Sequence, residues 1–221
     1  MIYYDDPKNR SKFYALDNFH RNLERQFKFG VSIFDCDKAV KDASAFFGIS
    51  VPDIIRDLTD ETDGATYVCL GNRGSMADDE LSYSLAQLAN MKITGKEAFS
   101  LIITHEFSHR VLQDTHFPGL NDGSWEQELC CDFFMGVRAS LDKMSTEALN
   151  AVRNGLGNCS GSSSHPTGHL RYEVISHGYM IGNFDIVQHR QRSFNDYMKC
   201  FWDWLQKNAQ TIRQEQMSIL C

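Results

Sequence analysis

The chain contains no dense run of lysine or arginine, no CxxC pair and no apolar stretch long enough to span a bilayer. Each absence removes a class of function. Without a basic stripe, and with a net charge of −7 over 221 residues, neither nucleic acid nor an anionic membrane surface is the expected partner. The longest strongly apolar run, around Phe99 to Ile103, falls far short of the roughly 20 residues that a spanning helix needs. Seven cysteines make an odd number and, apart from the adjacent Cys130 and Cys131, they are scattered. They read as reduced, buried thiols rather than a disulfide framework. The opening MIYYDDPKNRSKFY has no basic segment followed by an apolar one, so no secretory signal is visible. The expectation is a soluble, cytoplasmic protein, with export that leaves no N-terminal signature as the one other route. A chain of this length is expected to form a single domain, 1–221, that buries a core without staples.

What is present is concentrated in one stretch, KEAFSLIITHEFSHRVLQ, from Lys96 to Gln113. Thr94, before it, and Glu97, its second residue, have the spacing of a capping box. Phe99, Ile103, Phe107 and Val111 recur every four residues, with Leu101 and Ile102 on neighbouring faces. A helix apolar nearly all round is a buried helix. His105, Glu106 and His109 in its middle need a reason, because unpaired polar groups in a dry interior are costly. A metal ion supplies one. Residues four apart share a helix face, so His105 and His109 can offer two imidazole nitrogens to one ion, and Glu106 can reach a water on its open side. This is the HExxH arrangement of zinc peptidases.

The flanking chain gives a coarse frame. Asp17–Phe29 and Cys36–Phe47 read as helices stopped by Gly30 and Gly48. Ala65–Leu70 is β-rich and bounded by turn residues, making it the best strand, and such an edge can pair with an extended substrate or be plain core. Residues 77–91 read as a helix, with Leu81, Leu85 and Leu88 on one stripe. After Gln113 comes a polar loop in which His116 invites a check. A metzincin would place Gly and His where Leu112 and Thr115 stand, so that class is excluded and His116 is read as a loop residue.

The next predicted helix, Trp125–Leu141, carries Glu126, Glu128 and Asp132. One loop can bring this helix back against the first, and a carboxylate on it would complete a three-ligand zinc site with the fourth position left to water. Glu128 is the candidate. Asp132, one turn on, can accept the far N–H of a ligating histidine and so fix its tautomer. Glu126 points elsewhere and is read as surface. Cys130 and Cys131 can ligate zinc in principle, but small buried hydrophobes are the expected role. Residues 154–164 are Gly- and Ser-rich and read as a mobile loop. A helix with Pro166 in its first turn follows and stops near Gly178. Phe194, Tyr197, Met198, Phe201, Trp202 and Leu205 form an aromatic stripe that serves core packing or a dimer face.

Taken together, HEFSH (105–109), ELCCD (128–132) and HPTGHLR (165–171) resemble the gluzincin peptidases. The nearest group contains the CAAX prenyl endopeptidases and the bacterial heat-shock membrane metallopeptidase. The resemblance spans roughly residues 96–182 and is carried by motifs. It implies zinc ligation by His105, His109 and Glu128, with Glu106 as general base and proton shuttle. It places Asp132 as the orienting aspartate, His165 at the developing oxyanion and Arg171 as a tie on the third-ligand helix. Two departures stand out: those relatives are membrane-embedded and this chain has no spanning segment, and Cys131 stands where alanine is usual.

The expected fold is therefore α+β and mostly helical, zincin-like, with a small sheet beside the HExxH helix. N-terminal helices occupy 1–60, a catalytic core 61–182 and a helical segment 183–221. The expected function is a Zn2+-dependent metalloendopeptidase acting on a protein or peptide, with no nucleic-acid partner, no membrane span and a homo-oligomer contact available on the aromatic helix. Two rivals stand beside a general protease. One is a regulatory or effector protease that cuts a single partner. The other is an inactive zinc-stabilised interaction module, against which an intact Glu106 argues.

Overall fold

The computed structural model describes residues 21–22, 24–25, 28–52, 54–57, 69–71, 80–115, 120 and 124–220. The chain is mostly helical and separates into two compact units, Met1–Arg110 and Val111–Cys221. Among the described residues no helix is long and apolar enough to cross a membrane.

In the first unit, helix α1 (Ile33–Phe47) opens with a capping box in which Ser32 and Asp35 bond each other's backbone N–H, and closes at Gly48. Three short strands follow: β1 (Ile54–Asp57), β2 (Cys69–Gly71) and β3 (Glu80–Tyr83). They form a sheet of order β1-β3-β2, with β3 parallel to β1 and antiparallel to β2. Cys69 and Leu70 of the expected strand lie in β2, and its remaining positions, 65–68, are outside the described residues. So are His116 and the start of the expected helix over 17–29.

The helix expected over 77–91 is corrected. Leu81 and Tyr83 are buried while Ser82 between them is half-exposed, an alternation with the period of a strand rather than a helix. Helix α2 (Leu85–Asn90) begins only after Ser84, whose hydroxyl accepts from the Gln87 N–H. The long helix α3 (Lys96–Thr115) then starts one residue later than the Thr94–Glu97 spacing implies. Gly95 stands before it, at φ +91°, and its carbonyl accepts the Phe99 N–H. Tyr83 meets Phe99 edge-on at 5.1 Å, so the sheet's central strand packs on α3.

The second unit is built on helix α4 (Trp125–Leu141), found where the sequence places it. All its residues from Gln127 to Ser140 are buried, so it is the central helix of this half. Phe133 packs near Phe201 at 5.8 Å, and Phe134 stacks on Phe194 at 5.0 Å. Each fully buried phenylalanine is worth about 1.5–3 kcal/mol. The rest is helix α5 (Thr146–Gly157), helix α6 (Gly168–Val187) and helix α7 (Phe194–Leu220). The aromatic stripe of α7 turns inward: Tyr197, Met198, Phe201 and Leu205 are buried, together with Trp204.

Two boundaries differ from expectation. The Gly/Ser-rich segment 154–164 is helical as far as Gly157, because Leu149, Val152 and Leu156 give α5 a buried stripe. Helix α6 begins after Pro166, with Thr167 at its cap, and runs through Gly178 instead of stopping there. The glycine is kept for contact, not for a turn. A Cβ on Gly178 would lie 2.1 Å from the Phe133 carbonyl oxygen of α4, and one on Gly136 would lie 2.0 Å from the Ile175 oxygen of α6. The two backbones touch. Gly178→Ala is expected to destabilise the fold by about 1–3 kcal/mol or more, the usual cost of overpacking; an unchanged midpoint in urea would refute the close approach.

His177, the position before Gly178 on α6, sits between Phe133 and Trp204 at 5.9 and 6.5 Å. Burial pulls its pKa below the usual histidine value, a hydrogen bond to the Cys200 backbone opposes this, and Lys207 lowers it further. The unfolded chain therefore binds the extra proton more readily. The stability contributed by neutral His177 is full above about pH 6.5 and is lost as the pH falls towards the depressed folded value. Thermal unfolding across this window is expected to show a smaller acid loss in His177→Phe than in the parent; equal losses would exclude the residue.

Candidate functional site

The sequence-predicted residues fall into one set on α3 and two pairs in the second unit. On α3, His105 is buried while Glu106 and His109 are half-exposed. The helix is buried around them, from Ala98 to Ile103 and at Phe107, Val111 and Leu112. Its buried hydroxyls are satisfied locally, with Thr104 donating to the Ser100 carbonyl at 2.8 Å and Ser108 to the Thr104 carbonyl at 2.7 Å. These bonds let a helix with serine and threonine in its dry face form without orphaned polar groups. The Nε2 atoms of His105 and His109 lie 3.1 Å apart. Two N–H groups would collide at that distance. The nitrogens must either share one proton or face one cation.

Helix α4 carries the carboxylates. Glu128 is buried, and its Oε2 lies 3.9 Å from His165 Nε2, too far for a direct hydrogen bond but a gap that one oxygen atom can bridge. Asp132 is fully buried and receives a two-pronged contact from Arg171 on α6: Nε to Oδ2 at 2.7 Å and Nη2 to Oδ1 at 2.9 Å. Burial works against the Arg171 charge, but Asp132 on it and Glu128 nearby outweigh that, and its pKa is raised. A bidentate guanidinium–carboxylate pair fixes orientation as well as charge. Arg171 thus ties α6 to the helix that carries Glu128.

His165 sits in the segment between α5 and α6, with its side chain 56% exposed. Its Nδ1 is 2.9 Å from the Ser164 hydroxyl, its backbone N–H donates to the Ser162 hydroxyl at 3.0 Å, and its carbonyl accepts from Ser162 N–H at 2.8 Å. Trp125, the first residue of α4, donates its indole N–H to the Ser162 carbonyl at 2.9 Å. In the tautomer where the Ser164 hydroxyl donates to Nδ1, the ring proton resides on Nε2, the atom 3.9 Å from Glu128 Oε2.

Ser162, Ser164 and Trp125 are parts of this site that residue spacing did not reveal. A run of serines beside the HP dipeptide was the available signal, and composition alone reads it as slack. Cys130 behaves as the expected buried hydrophobe: its thiol lies 3.6 Å from the Met198 sulfur, and burial raises its pKa. No family model matches the chain, and neither a curated protein nor a solved structure matches it.

Proposed function

We propose that the chain is a zinc-dependent metalloendopeptidase of the gluzincin type, on a zincin-like fold. The observation that carries this reading is the His105–His109 pair flanking Glu106 on one buried helix. Two zinc–nitrogen bonds of about 2.0–2.1 Å at a tetrahedral angle separate their nitrogens by roughly 3.3 Å, and the observed separation is 3.1 Å. The donor set suits the ion. His105 and His109 would hold it, and the resemblance names Glu128 as the third donor. Cys131, also buried on α4, is the chemically competent rival: among the described residues it is Cys131, not Glu128, whose ligand atom lies with those of the two histidines, all within 4.8 Å of one another.

When bound, zinc supplies a water acidified to a pKa of about 7 and a Lewis acid for the scissile carbonyl. The remaining work belongs to the chain. Glu106 accepts the proton of the attacking water on a carboxylate oxygen and returns it to the leaving nitrogen. His165 donates its Nε2 proton to the developing oxyanion. Asp132 and Arg171 hold the α4 carboxylate in register. The substrate is a protein or peptide.

Metal analysis of the purified protein, with digestion of labelled casein, tests the reading. About one zinc per chain is expected, with chelator abolishing cleavage, added zinc restoring it, and the metal-free form melting at lower temperature. Absence of tight zinc would overturn the proposal. Cobalt substitution chooses the third donor: a thiolate-to-cobalt charge-transfer band lost in Cys131→Ala assigns Cys131, and its absence assigns Glu128.

A further inference from the structure

The segment that carries His165 is held from outside as well as from within. Its internal bonds, among Ser162, Ser164 and His165, shape the turn, and Gly168 N–H closes it on the Cys159 carbonyl at 2.8 Å. They do not fix where the turn points. That falls to its attachments. One is Trp125, already described. The others come from the far end of α7, more than forty residues on in sequence.

Thr167 occupies the cap position of α6, yet its hydroxyl makes no capping bond to that helix. It donates instead to the Glu215 carboxylate of α7. The positive end of the α6 dipole favours an anion there, so Glu215 supplies from a distance what a local cap would ordinarily give. A second contact lies at the apex of the turn. Gly161 adopts φ +82°, and a Cβ built on it would lie 2.7 Å from Cδ1 of Ile219. Positive φ without a side chain lets the turn fold under Ile219. Glu215 and Ile219 are one turn apart on α7, so they face the segment together.

We propose that this end of α7 is a strap that sets the reach of His165, with Glu215 as a positioning residue acting through Thr167. The inference rests on the role given to His165 above and names the element that controls it. Thr167 lies two residues beyond His165, across Pro166, whose fixed φ transmits displacement with little slack. Release of Glu215 therefore swings the imidazole rather than merely loosening a helix end.

The test combines amide exchange with kinetics on a peptide cleaved in the casein-trained assay. In Glu215→Ala, the Ser162, His165 and Gly168 amides are expected to lose protection while α4 amides keep theirs. Glu215→Gln, which can still accept from Thr167, restores it. In turnover, Glu215→Ala is expected to lower kcat about tenfold with KM little changed, a fraction of the His165→Ala loss. Added to His165→Ala it should cost nothing more, since two residues acting through one group are non-additive. Unchanged exchange in Glu215→Ala would overturn the strap whatever the activity. Lost protection with full kcat, or an undiminished Glu215 effect in the His165→Ala background, would overturn the positioning role. A His165→Ala enzyme of normal kcat would overturn the positioning role through the catalytic reading itself, and the exchange result distinguishes that failure from failure of the strap.

Discussion

Glu106→Gln is expected to bind zinc as the parent does and to lose catalysis by about 10²–10⁴-fold in kcat, the range that a positioned general base contributes. The amide is nearly isosteric with the carboxylate and half-exposed on α3, so no cavity and no buried orphan charge accompany the change. What it removes is the lone pair that takes a proton from water. Metal content by mass spectrometry, a melting curve and single-turnover cleavage separate the cases. Retained zinc with lost cleavage supports the scheme. Retained cleavage would move the base elsewhere and leave Glu106 a helix-surface acid.

The second large effect concerns stability. Arg171→Ala leaves the fully buried Asp132 carboxylate without the guanidinium that engages both its oxygens. Breaking one side of a buried pair typically costs about 3–5 kcal/mol, against a total stability of about 5–15 kcal/mol for a domain. The pair is a tie and a liability together, because burying two charges costs nearly what their attraction returns. Asp132→Leu with Arg171→Met should accordingly recover most of the loss, measured by urea unfolding of metal-free protein. A single-mutant loss below about 1 kcal/mol would show that solvent or another cation satisfies Asp132.

The two predictions draw on parts of the chain that were legible to different degrees. HExxH is readable because helical period, burial and ligand chemistry all bear on the same five residues, and α4 is readable from Trp125 to Leu141 because Ser124 caps it and Leu129, Phe133 and Val137 recur every four residues. The strand at Glu80–Tyr83 was misread because Leu81, Leu85 and Leu88 fit a helical stripe, while Leu81 and Tyr83 alone carry the strand signal. Gly178 was misread for a different reason. Local sequence cannot tell a glycine that ends a helix from one that admits a neighbouring backbone, because the deciding atom, the Phe133 carbonyl, is 45 residues away in a partner helix. The outer supports of His165 were invisible for the same reason, since nothing near Glu215 marks it as the partner of Thr167.

The backbone contact of Gly136 and Gly178 has a mechanical corollary. Helices separated by side chains can slide by trading rotamers, but where carbonyl oxygens already press on Cα hydrogens there is nothing left to rearrange. In any motion of this half of the chain, α4 and α6 must travel as a single lever, with Glu128, Asp132 and Arg171 fixed to it. Relaxation-dispersion measurements should find common exchange rates along both helices.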